Sequence, residues 1–126
     1  MKNSLSKTIL NKYSRQIVLK DVGIIGQKKI FNSKILVVGA GGLGSPVIDL
    51  LVRAGVGFLG VIEDDKVDYS NLHRQTLYDC NDVGRYKSDV IKKKIKLINN
   101  EIRLKIFKER ATDKNLGKIL PKFDII

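Results

Sequence analysis

The sequence is poor in cysteine, proline and histidine, and it has no tryptophan. Its only cysteine, Cys80, excludes an internal disulfide and any zinc site built from several thiolates of this chain. Residues 1–16 lack the apolar core of a signal peptide. The most apolar region, residues 47–62, is interrupted by Asp49 and Arg53 and is therefore too short for a membrane span. We expect a soluble, cytoplasmic protein without a membrane partner.

Positive charge, in contrast, is in excess. The 24 lysine and arginine residues against 13 acidic residues give a net charge of +11, which favours contact with anions such as nucleic acid, membrane lipid or nucleotide phosphate. Four lysines fall in one helical pattern, where a solvated helix face accounts for them: Lys92, Lys93, Lys94 and Lys96. Because no nucleic-acid-binding motif accompanies these lysines, we expect no nucleic-acid partner.

A glycine-rich motif follows the first β-branched run of the chain. The run at residues 34–38 ends in Gly39-x-Gly41-x-x-Gly44, and a helical pattern follows over residues 45–54. In a dinucleotide-type fingerprint the first glycine allows a tight turn, the second lets the backbone approach a phosphate, and the third lets the helix pack on the strand. We predict a strand, a phosphate loop and a helix, with the N–H groups of residues 41–43 facing an anion.

An acidic group stands where such a fingerprint requires one. Glu63 follows the apolar run at residues 58–62 and lies 19 residues after Gly44, and an acid about 20 residues on is the one expected at a ribose hydroxyl. Asp64 and Asp65 come next. Because ligands of open α/β sheets bind at the carboxyl ends of the strands, we predict that Glu63 and Asp65 are nucleotide-binding residues. A glycine turn without a ligand is the alternative.

The remaining pattern alternates helix and strand. Helical spacing predicts helices over residues 8–19, 26–31, 45–54 and 87–99, and apolar runs predict strands near residues 34–38, 58–62, 102–106 and 123–126. The predicted fold is α/β, a Rossmann-like parallel sheet of strand order 3-2-1-4 with helices on both faces. An N-terminal helical extension, residues 1–33, precedes a nucleotide-binding domain, residues 34–126. We expect the sheet to be cut off within its fourth strand, and the chain to be the N-terminal part of a longer protein.

A long polar segment, residues 67–82, follows the second predicted strand. It has no clear period, and long loops of this kind tend to carry function. Lys87 then lies in the first turn of the next predicted helix, where a lysine opposes the helix dipole. A bound anion explains a lysine at this position better than helix stability does.

Four motifs of the sequence are recognisable when they are taken together. They are Tyr13-Ser14-Arg15-Gln16, Gly39-Ala40-Gly41-Gly42-Leu43-Gly44-Ser45-Pro46, Ser70-Asn71-Leu72-His73-Arg74-Gln75 and Gly84-Arg85-Tyr86-Lys87. In this order and at this spacing they resemble the ThiF/MoeB/HesA family, the prokaryotic relatives of ubiquitin-activating enzymes. The resemblance runs from about Lys12 to Ile126.

The resemblance implies an adenylation reaction. In this reaction the C-terminal Gly-Gly carboxylate of a ubiquitin-like sulfur-carrier protein attacks the α-phosphate of ATP and gives an acyl-adenylate and pyrophosphate, for molybdopterin, thiamine or related biosynthesis. The protein would catalyse this reaction mainly by positioning the reactants and by placing cations near the negative charge that develops on the phosphate. The resemblance implies that Arg74 and Lys87 act at the phosphates, and that Arg15 reaches the partner's site across a homodimer interface. These three are the predicted catalytic residues.

The resemblance also implies binding roles for residues of the other motifs. Gly42 would contact the nucleotide within a loop that includes Gly39, Gly41 and Gly44, Glu63 would hold the ribose, and Asn71 would reach the phosphates. One departure is Glu63, because the family usually has aspartate there. The family's Mg²⁺-binding aspartate and its paired Cys-x-x-Cys Zn²⁺ motifs are expected beyond Ile126. We therefore predict no metal ligand in this chain and expect the 126-residue chain alone to be inactive.

Two other functions fit parts of the sequence. The glycine fingerprint and Glu63 alone also suit an NAD-dependent oxidoreductase, although such an enzyme does not require two cations, Arg74 and Lys87, near the α-phosphate. The second alternative is a catalytically inactive scaffold domain of the same fold. His73 and Cys80 are better explained by structural roles than by catalysis. Which sulfur carrier is served, and by which sulfur donor, stays open.

Overall fold

The structure is a computed structural model that describes residues 5–126. The α-helices of this part of the chain are α1 (Lys7–Lys12), α2 (Ser14–Ile17), α3 (Gly23–Asn32), α4 (Gly44–Ala54), α5 (Lys87–Ile98) and α6 (Asp113–Ile119). The strands are β1 (Lys34–Val38), β2 (Phe58–Ile62) and β3 (Arg103–Phe107). Three single turns of 3₁₀-helix lie at Tyr69–Asn71, Cys80–Asp82 and Leu120–Lys122.

The three strands form one parallel sheet in the order β1-β2-β3. Lys34 pairs with Phe58 at the start of β1 and β2, and Phe58 pairs with Arg103 at the start of β3. Because the three strands run in the same direction, their carboxyl ends meet at one edge of the sheet. The α/β fold class and the parallel sheet are confirmed.

The predicted fourth strand is reduced to a single bridge beside β1. Ile125 forms a parallel bridge with Ile35, the N–H of Leu36 donates to the carbonyl of Ile125 at 2.9 Å, and the N–H of Asp124 donates to the carbonyl of Lys34 at 2.8 Å. The contact lies on the side of β1 away from β2, so the predicted order 3-2-1-4 is confirmed. The predicted strand at residues 123–126 is shorter than expected because Phe123 is drawn into the core instead.

Helices cover both faces of the sheet, as predicted. Leu59 and Val61 of β2 are buried in a cluster with apolar residues of α4 and α5. Ile62 packs instead with Ile119 of α6 and with Phe123, because successive side chains of a strand point to opposite faces. Apolar burial on both faces is what holds a parallel sheet of this kind together.

The predicted helix over residues 8–19 is interrupted at Tyr13. The backbone of Tyr13 leaves the helical region at φ −105° and ψ 14°, and its buried ring lies against Gly55, where an added Cβ would be 2.7 Å from the Tyr13 Cζ atom. The side-chain amide of Asn99 donates to the Tyr13 hydroxyl at 3.0 Å. The prediction of one helix was wrong because packing of Tyr13 against the ends of α4 and α5 fixes a break that helical spacing does not reveal.

The N-terminal helices are attached to the C-terminal end of α4. The side-chain amides of Gln16 and Gln27 both donate to the carbonyl of Ala54, at 3.2 Å and 3.0 Å, and the Gln16 amide also donates to Gln27 at 2.6 Å.

Among residues 5–126 no helix combines the length and the apolar character needed to cross a bilayer.

Candidate functional site

The glycine loop, residues 39–44, joins β1 to α4 at the carboxyl edge of the sheet. Gly39 has a φ of +89°, in the left-handed region that glycine adopts at no steric cost. At Gly44 an added Cβ would lie only 1.9 Å from the carbonyl oxygen of Gly39. The first and last glycines of the motif are therefore required by the backbone conformation and by the close contact between the helix and the loop.

The middle of the glycine loop presents unpaired donors. Among residues 5–126 the backbone N–H groups of Gly41, Gly42 and Leu43 donate to no protein group, whereas the carbonyl of Gly41 already accepts from Ser45. These N–H groups immediately precede α4, a helix of 11 residues. Free N–H groups and the positive end of a helix dipole together form a site that suits an anion.

Glu63 is bound to the glycine loop by its carboxylate. One carboxylate oxygen accepts the N–H of Ala40 at 2.7 Å, and the other accepts the N–H of Asp65 at 2.9 Å. Glu63 is 6% exposed. The residue predicted to hold a ribose therefore also ties the end of β2 to the loop that follows β1, a structural role that the sequence did not indicate.

Lys87 is brought to the same edge by the segment between β2 and α5. Lys66 and Tyr86 form an antiparallel bridge, and the backbone N–H of Lys87 donates to the carbonyl of Asp65 at 2.9 Å. The ammonium group of Lys87 lies 4.0 Å from the Asp65 carboxylate, and its side chain is only 5% exposed. Lys87 is therefore a nearly buried cation whose neighbour is an exposed carboxylate.

Three adjacent carboxylates, those of Glu63, Asp64 and Asp65, have oxygen atoms within 4.8 Å of one another. Carboxylate oxygens are ligands that Mg²⁺ accepts. However, both oxygens of Glu63 already accept backbone hydrogen bonds, and the carboxylate of Asp65 faces Lys87. Glu63 and Asp65 are thus already balanced by contacts within the protein, and Asp64 is the one carboxylate of the three without such a contact in residues 5–126.

Arg74 lies directly beside the glycine loop. Its Cδ and Nε atoms are 3.5 Å from the position that a Cβ of Gly42 would take, and its guanidinium donates to the carbonyl of Ser70 at 2.8 Å. The structure thus brings a cation next to the unpaired N–H groups of the loop.

Asn71 has a different local task from the one predicted. Its side-chain oxygen accepts the N–H of Asp68 at 3.0 Å, and Asp68 in turn accepts the N–H of Ser70 at 2.8 Å. The pKa of Asp68 is lowered because Ser70 hydrogen-bonds to its carboxylate. Asn71 therefore shapes the turn that carries Arg74, and only its NH₂ group remains for a phosphate.

Segment 74–78 lines the back of the glycine loop. The Gln75 amide approaches Gly41, the N–H of Leu77 donates to the Ser45 hydroxyl at 3.0 Å, and the Tyr78 hydroxyl donates to the carbonyl of Ala40 at 2.7 Å. Burial, with the nearby Glu63 carboxylate adding to it, raises the pKa of Tyr78, so this hydroxyl keeps its proton. The contacts of Ser45 and Tyr78 could not be predicted from the sequence, because segment 74–78 has no period that would assign its side chains to one neighbour.

A shallow cleft of about 200 Å³ opens beside the loop. Val38, Gly39 and the carboxylates of residues 63–65 form one side, and Glu109, Arg110 and Ala111 form the other. These last three residues were not among the predicted site residues. The signal that could have found them is their position just after β3, because the ends of all parallel strands meet at this edge.

Arg15 and Cys80 lie apart from this arrangement, whereas the ring of His73 contacts the Arg74 guanidinium at 3.5 Å. Arg15 is exposed on α2 and forms no ion pair within residues 5–126. Its neighbour Gln16 binds Ala54 at the C-terminal end of α4. The glycine loop lies at the other end of this helix, whose 11 residues span about 16 Å. His73 and Cys80 are exposed. The structure thus brings together all the predicted site residues except Arg15.

Comparison with known proteins agrees with these observations. The model of the ThiF family matches residues 13–126. The chain belongs to the ThiF family. Among the curated relatives of this ThiF-family chain, a sulfur carrier protein adenylyltransferase of Thermus thermophilus is 44% identical over 121 residues, which is 96% of this chain and 45% of that protein. A probable molybdopterin-synthase adenylyltransferase of Gracilaria tenuistipitata var. liui is 44% identical over 124 residues, 98% of this chain and 35% of that protein.

Solved structures of other proteins share the fold of the ThiF-family chain. A crystal structure of PaaA superposes with a TM-score of 0.88 at 29% identity and covers 99% of this chain and 42% of that one. The Escherichia coli tRNA N6-threonylcarbamoyladenosine dehydratase TcdA, in complex with ATP, has a TM-score of 0.86 at 27% identity, covering 94% and 48%. The chain thus spans less than half the length of the relatives described here.

Proposed function

We propose that this ThiF-family chain forms the nucleotide-binding part of an ATP-dependent adenylyltransferase. The substrate is the C-terminal Gly-Gly carboxylate of a ubiquitin-like sulfur-carrier protein, and the products are the acyl-adenylate and pyrophosphate. The observation that carries the proposal is the set of unpaired N–H groups at residues 41–43, which lies at the N-terminus of α4 with Arg74 beside it.

The electrostatics of the site suit this reaction. The carboxylate oxygen of the carrier attacks the α-phosphorus of ATP, and the bond from that phosphorus to the bridging oxygen of pyrophosphate breaks. Negative charge builds up on phosphate oxygens during this step, so fixed donors and cations stabilise the transition state. Arg74 offers a planar guanidinium for phosphate oxygens, and Lys87 offers a nearly buried ammonium group.

Glu63 and the cleft beside it suit the nucleoside end of ATP. In this proposal the remaining lone pairs of the Glu63 carboxylate accept ribose hydroxyls while its two backbone hydrogen bonds keep it in place. The side chains of residues 109–111 border the same cleft. Mg²⁺ would accompany the phosphates of ATP, and its carboxylate ligand would come from outside this chain. The ligands of any Zn²⁺ site would come from outside this chain as well.

The names of the relatives support the choice of substrate. The relative from Thermus thermophilus is named sulfur carrier protein adenylyltransferase. The relative from Gracilaria is named probable molybdopterin-synthase adenylyltransferase. A third relative, from Lodderomyces elongisporus, is named adenylyltransferase and sulfurtransferase UBA4 and is 42% identical over 123 residues, 97% of this chain and 27% of that protein.

We place the protein in the cytoplasm, where the single free cysteine, Cys80, suits a reducing environment.

A homodimer completes the proposed site. Arg15 lies near the C-terminal end of α4, whereas the glycine loop lies at the N-terminal end of the same helix. The helix separates them by about 16 Å, which is more than the reach of an arginine side chain. An Arg15 that acts on the nucleotide therefore acts on the site of a second copy.

The nucleotide preference tests the proposal against an NAD-dependent oxidoreductase. We expect ATP with Mg²⁺ to raise the melting temperature of the 126-residue chain, and NAD at the same concentration to leave it unchanged, because the site offers two cations for phosphate. Arg74→Ala is the matched variant and should reduce the ATP effect without abolishing it. A larger shift with NAD than with ATP would favour the oxidoreductase.

The alternative of an inactive scaffold requires a test of the chemistry. The protein that carries this chain should exchange labelled pyrophosphate into ATP only when a carrier with a C-terminal Gly-Gly is present. A carrier truncated by its last glycine is the matched control. ATP binding without carrier-dependent exchange would support the scaffold.

A further inference from the structure

A buried side chain beside the glycine loop has no protein partner. Gln75 is 4% exposed, and its Oε1 atom is enclosed without a hydrogen bond. Its NH₂ group forms no hydrogen bond within residues 5–126 either, but only Oε1 is fully enclosed. Buried side-chain amides are almost always hydrogen-bonded, because leaving their polar atoms unpaired costs free energy.

The amide of Gln75 points at the middle of the glycine loop. Its Nε2 atom lies 3.6 Å from the position that a Cβ of Gly41 would take, while Oε1 is turned into the protein. This orientation is the less costly of the two, because a buried unpaired acceptor is tolerated better than a buried unpaired donor. The donor end of the amide therefore faces the loop.

The neighbours of Gln75 contact the loop or the first turn of α4. Arg74 lies against Gly42, Leu77 is bound to Ser45 and Tyr78 to Ala40. The contacts of Leu77 and Tyr78 are hydrogen bonds within the protein, whereas the Gln75 amide reaches the loop without one. Its position next to the unpaired N–H of Gly41 places one more donor in the group formed by residues 41–43.

We propose that Gln75 is a further phosphate-binding residue, whose NH₂ group donates to an oxygen of the anion held by the N–H groups of residues 41–43. The inference rests on the proposed function, because it takes the loop as a phosphate site. The Gln75 amide is a neutral donor next to Arg74, so it fixes the orientation of the phosphate. It adds no positive charge that would hold back the pyrophosphate when it leaves. Gln75 thereby acts on phosphate geometry, and Arg74 on phosphate charge.

Two substitutions at this position separate binding from folding. Gln75→Met keeps the length of the side chain and removes both unpaired polar atoms, so the chain should be no less stable than the unsubstituted one. Gln75→Glu keeps the shape but replaces the donor with a negatively charged acceptor. The control is Ser88→Ala, which removes the hydroxyl oxygen of Ser88, a second buried atom without a partner, from a residue with no contact to the loop.

Calorimetric titration of the 126-residue chain with ATP, inorganic pyrophosphate and adenosine measures the effect. We expect Gln75→Met to weaken ATP and pyrophosphate binding about tenfold, as for loss of one hydrogen bond to a charged group. Gln75→Glu should weaken both further, adenosine binding should not change, and Ser88→Ala should leave all three affinities unchanged. Equal affinities for the unsubstituted chain and Gln75→Met would overturn the inference while the proposed function stands.

Nuclear magnetic resonance gives a second measurement that does not depend on the variants folding well. The side-chain NH₂ signals of Gln75 are identified by their absence from the spectrum of Gln75→Met, or by selective ¹⁵N labelling of glutamine if that variant does not fold. Pyrophosphate should shift these signals and slow their exchange with water. Unchanged signals at a pyrophosphate concentration that saturates the loop amides would overturn the inference. If neither ATP nor pyrophosphate binds the unsubstituted chain, the proposed function fails together with it.

Discussion

The carboxylate of Glu63 accepts the backbone N–H of Ala40 at 2.7 Å, and thereby joins the end of β2 to the first turn of the glycine loop. The other oxygen of the same carboxylate holds the N–H of Asp65. One buried side chain thus fixes both the glycine loop and the segment that leads to Lys87. The ends of two neighbouring strands depend on one charge.

Glu63→Gln should destabilise the fold and weaken ATP binding. A glutamine can accept only one of the two N–H groups and would turn its own NH₂ against the other. We expect the free energy of unfolding in urea to fall by about 1–3 kcal/mol, the typical cost of an unpaired buried donor. Glu109→Gln makes the same charge change in an exposed residue of the same cleft and should have little effect. Equal losses in both variants would contradict this explanation.

Gly44→Ala should destabilise the chain, since its Cβ would lie 1.9 Å from the carbonyl oxygen of Gly39. Either α4 or the loop must move, and we expect a loss of about 2 kcal/mol or more in thermal or urea unfolding. The matched control is Gly117→Ala in α6, where an added Cβ meets nothing within 4 Å. That change should stabilise the chain by up to about 1 kcal/mol, because alanine favours helix over glycine.

Arg74→Ala and Lys87→Ala should each slow carrier-dependent exchange of pyrophosphate into ATP by about 10²–10³-fold. Each variant lacks a cation that stabilises the negative charge on the phosphate oxygens in the transition state. The loss should fall mainly on turnover rather than on the apparent affinity for ATP. Lys93→Ala removes an exposed lysine of α5 and serves as the control for net charge. Exchange at the unsubstituted rate in both Arg74→Ala and Lys87→Ala would contradict the assignment of the site.

Arg15→Ala should be inactive by itself and recover in a mixture. If Arg15 acts on the partner's site, a hybrid dimer of Arg15→Ala and Lys87→Ala contains one site with both residues intact. A mixture of Arg74→Ala and Lys87→Ala is the control, since both of those residues belong to one site and no hybrid restores it. With subunit exchange verified, recovery in neither mixture would show that Arg15 does not act in trans.

Asp79 should contribute to stability only above about pH 4. Lys94 hydrogen-bonds to the Asp79 carboxylate and, with the N–H of Asn81, holds the pKa of Asp79 below its usual value of 3.8. A lowered pKa in the folded state means a contribution that is complete above the unfolded value and lost as the pH falls through the folded one. The difference in unfolding free energy between the unsubstituted chain and Asp79→Asn should be constant from pH 5 to 8 and shrink below about pH 4. A difference that persists at pH 2 would refute this.

Local patterns were sufficient to predict the elements that carry the site. Gly39, Gly44 and the strand before them form one continuous motif whose conformation depends on near neighbours, and the structure has each glycine in the conformation or contact expected of it. The break at Tyr13 could not be predicted in this way. It results from contact with Gly55 and Asn99, which lie far along the sequence.

The contacts of the aperiodic segment 74–78 were beyond sequence reasoning for a related reason. Arg74 was singled out because of its motif, but nothing in the spacing indicated that Tyr78 would bind the carbonyl of Ala40. The role of Glu63 was predicted in part. Its position after β2 suggested a ligand contact, whereas its hydrogen bonds to the backbone depend on how two strand ends lie side by side.

The bridge between Ile35 and Ile125 has a consequence for the order of folding. β1 is the first strand of the described residues 5–126, and within them one of its two edges is paired by residues 124–125, about 90 positions later. During synthesis β1 can pair with β2 early, but its other edge stays open until residues 124–125 have been made. Contacts of such long range form slowly, and an open strand edge invites pairing with other chains. The nascent protein is therefore most exposed to aggregation in the interval before residue 125 reaches β1.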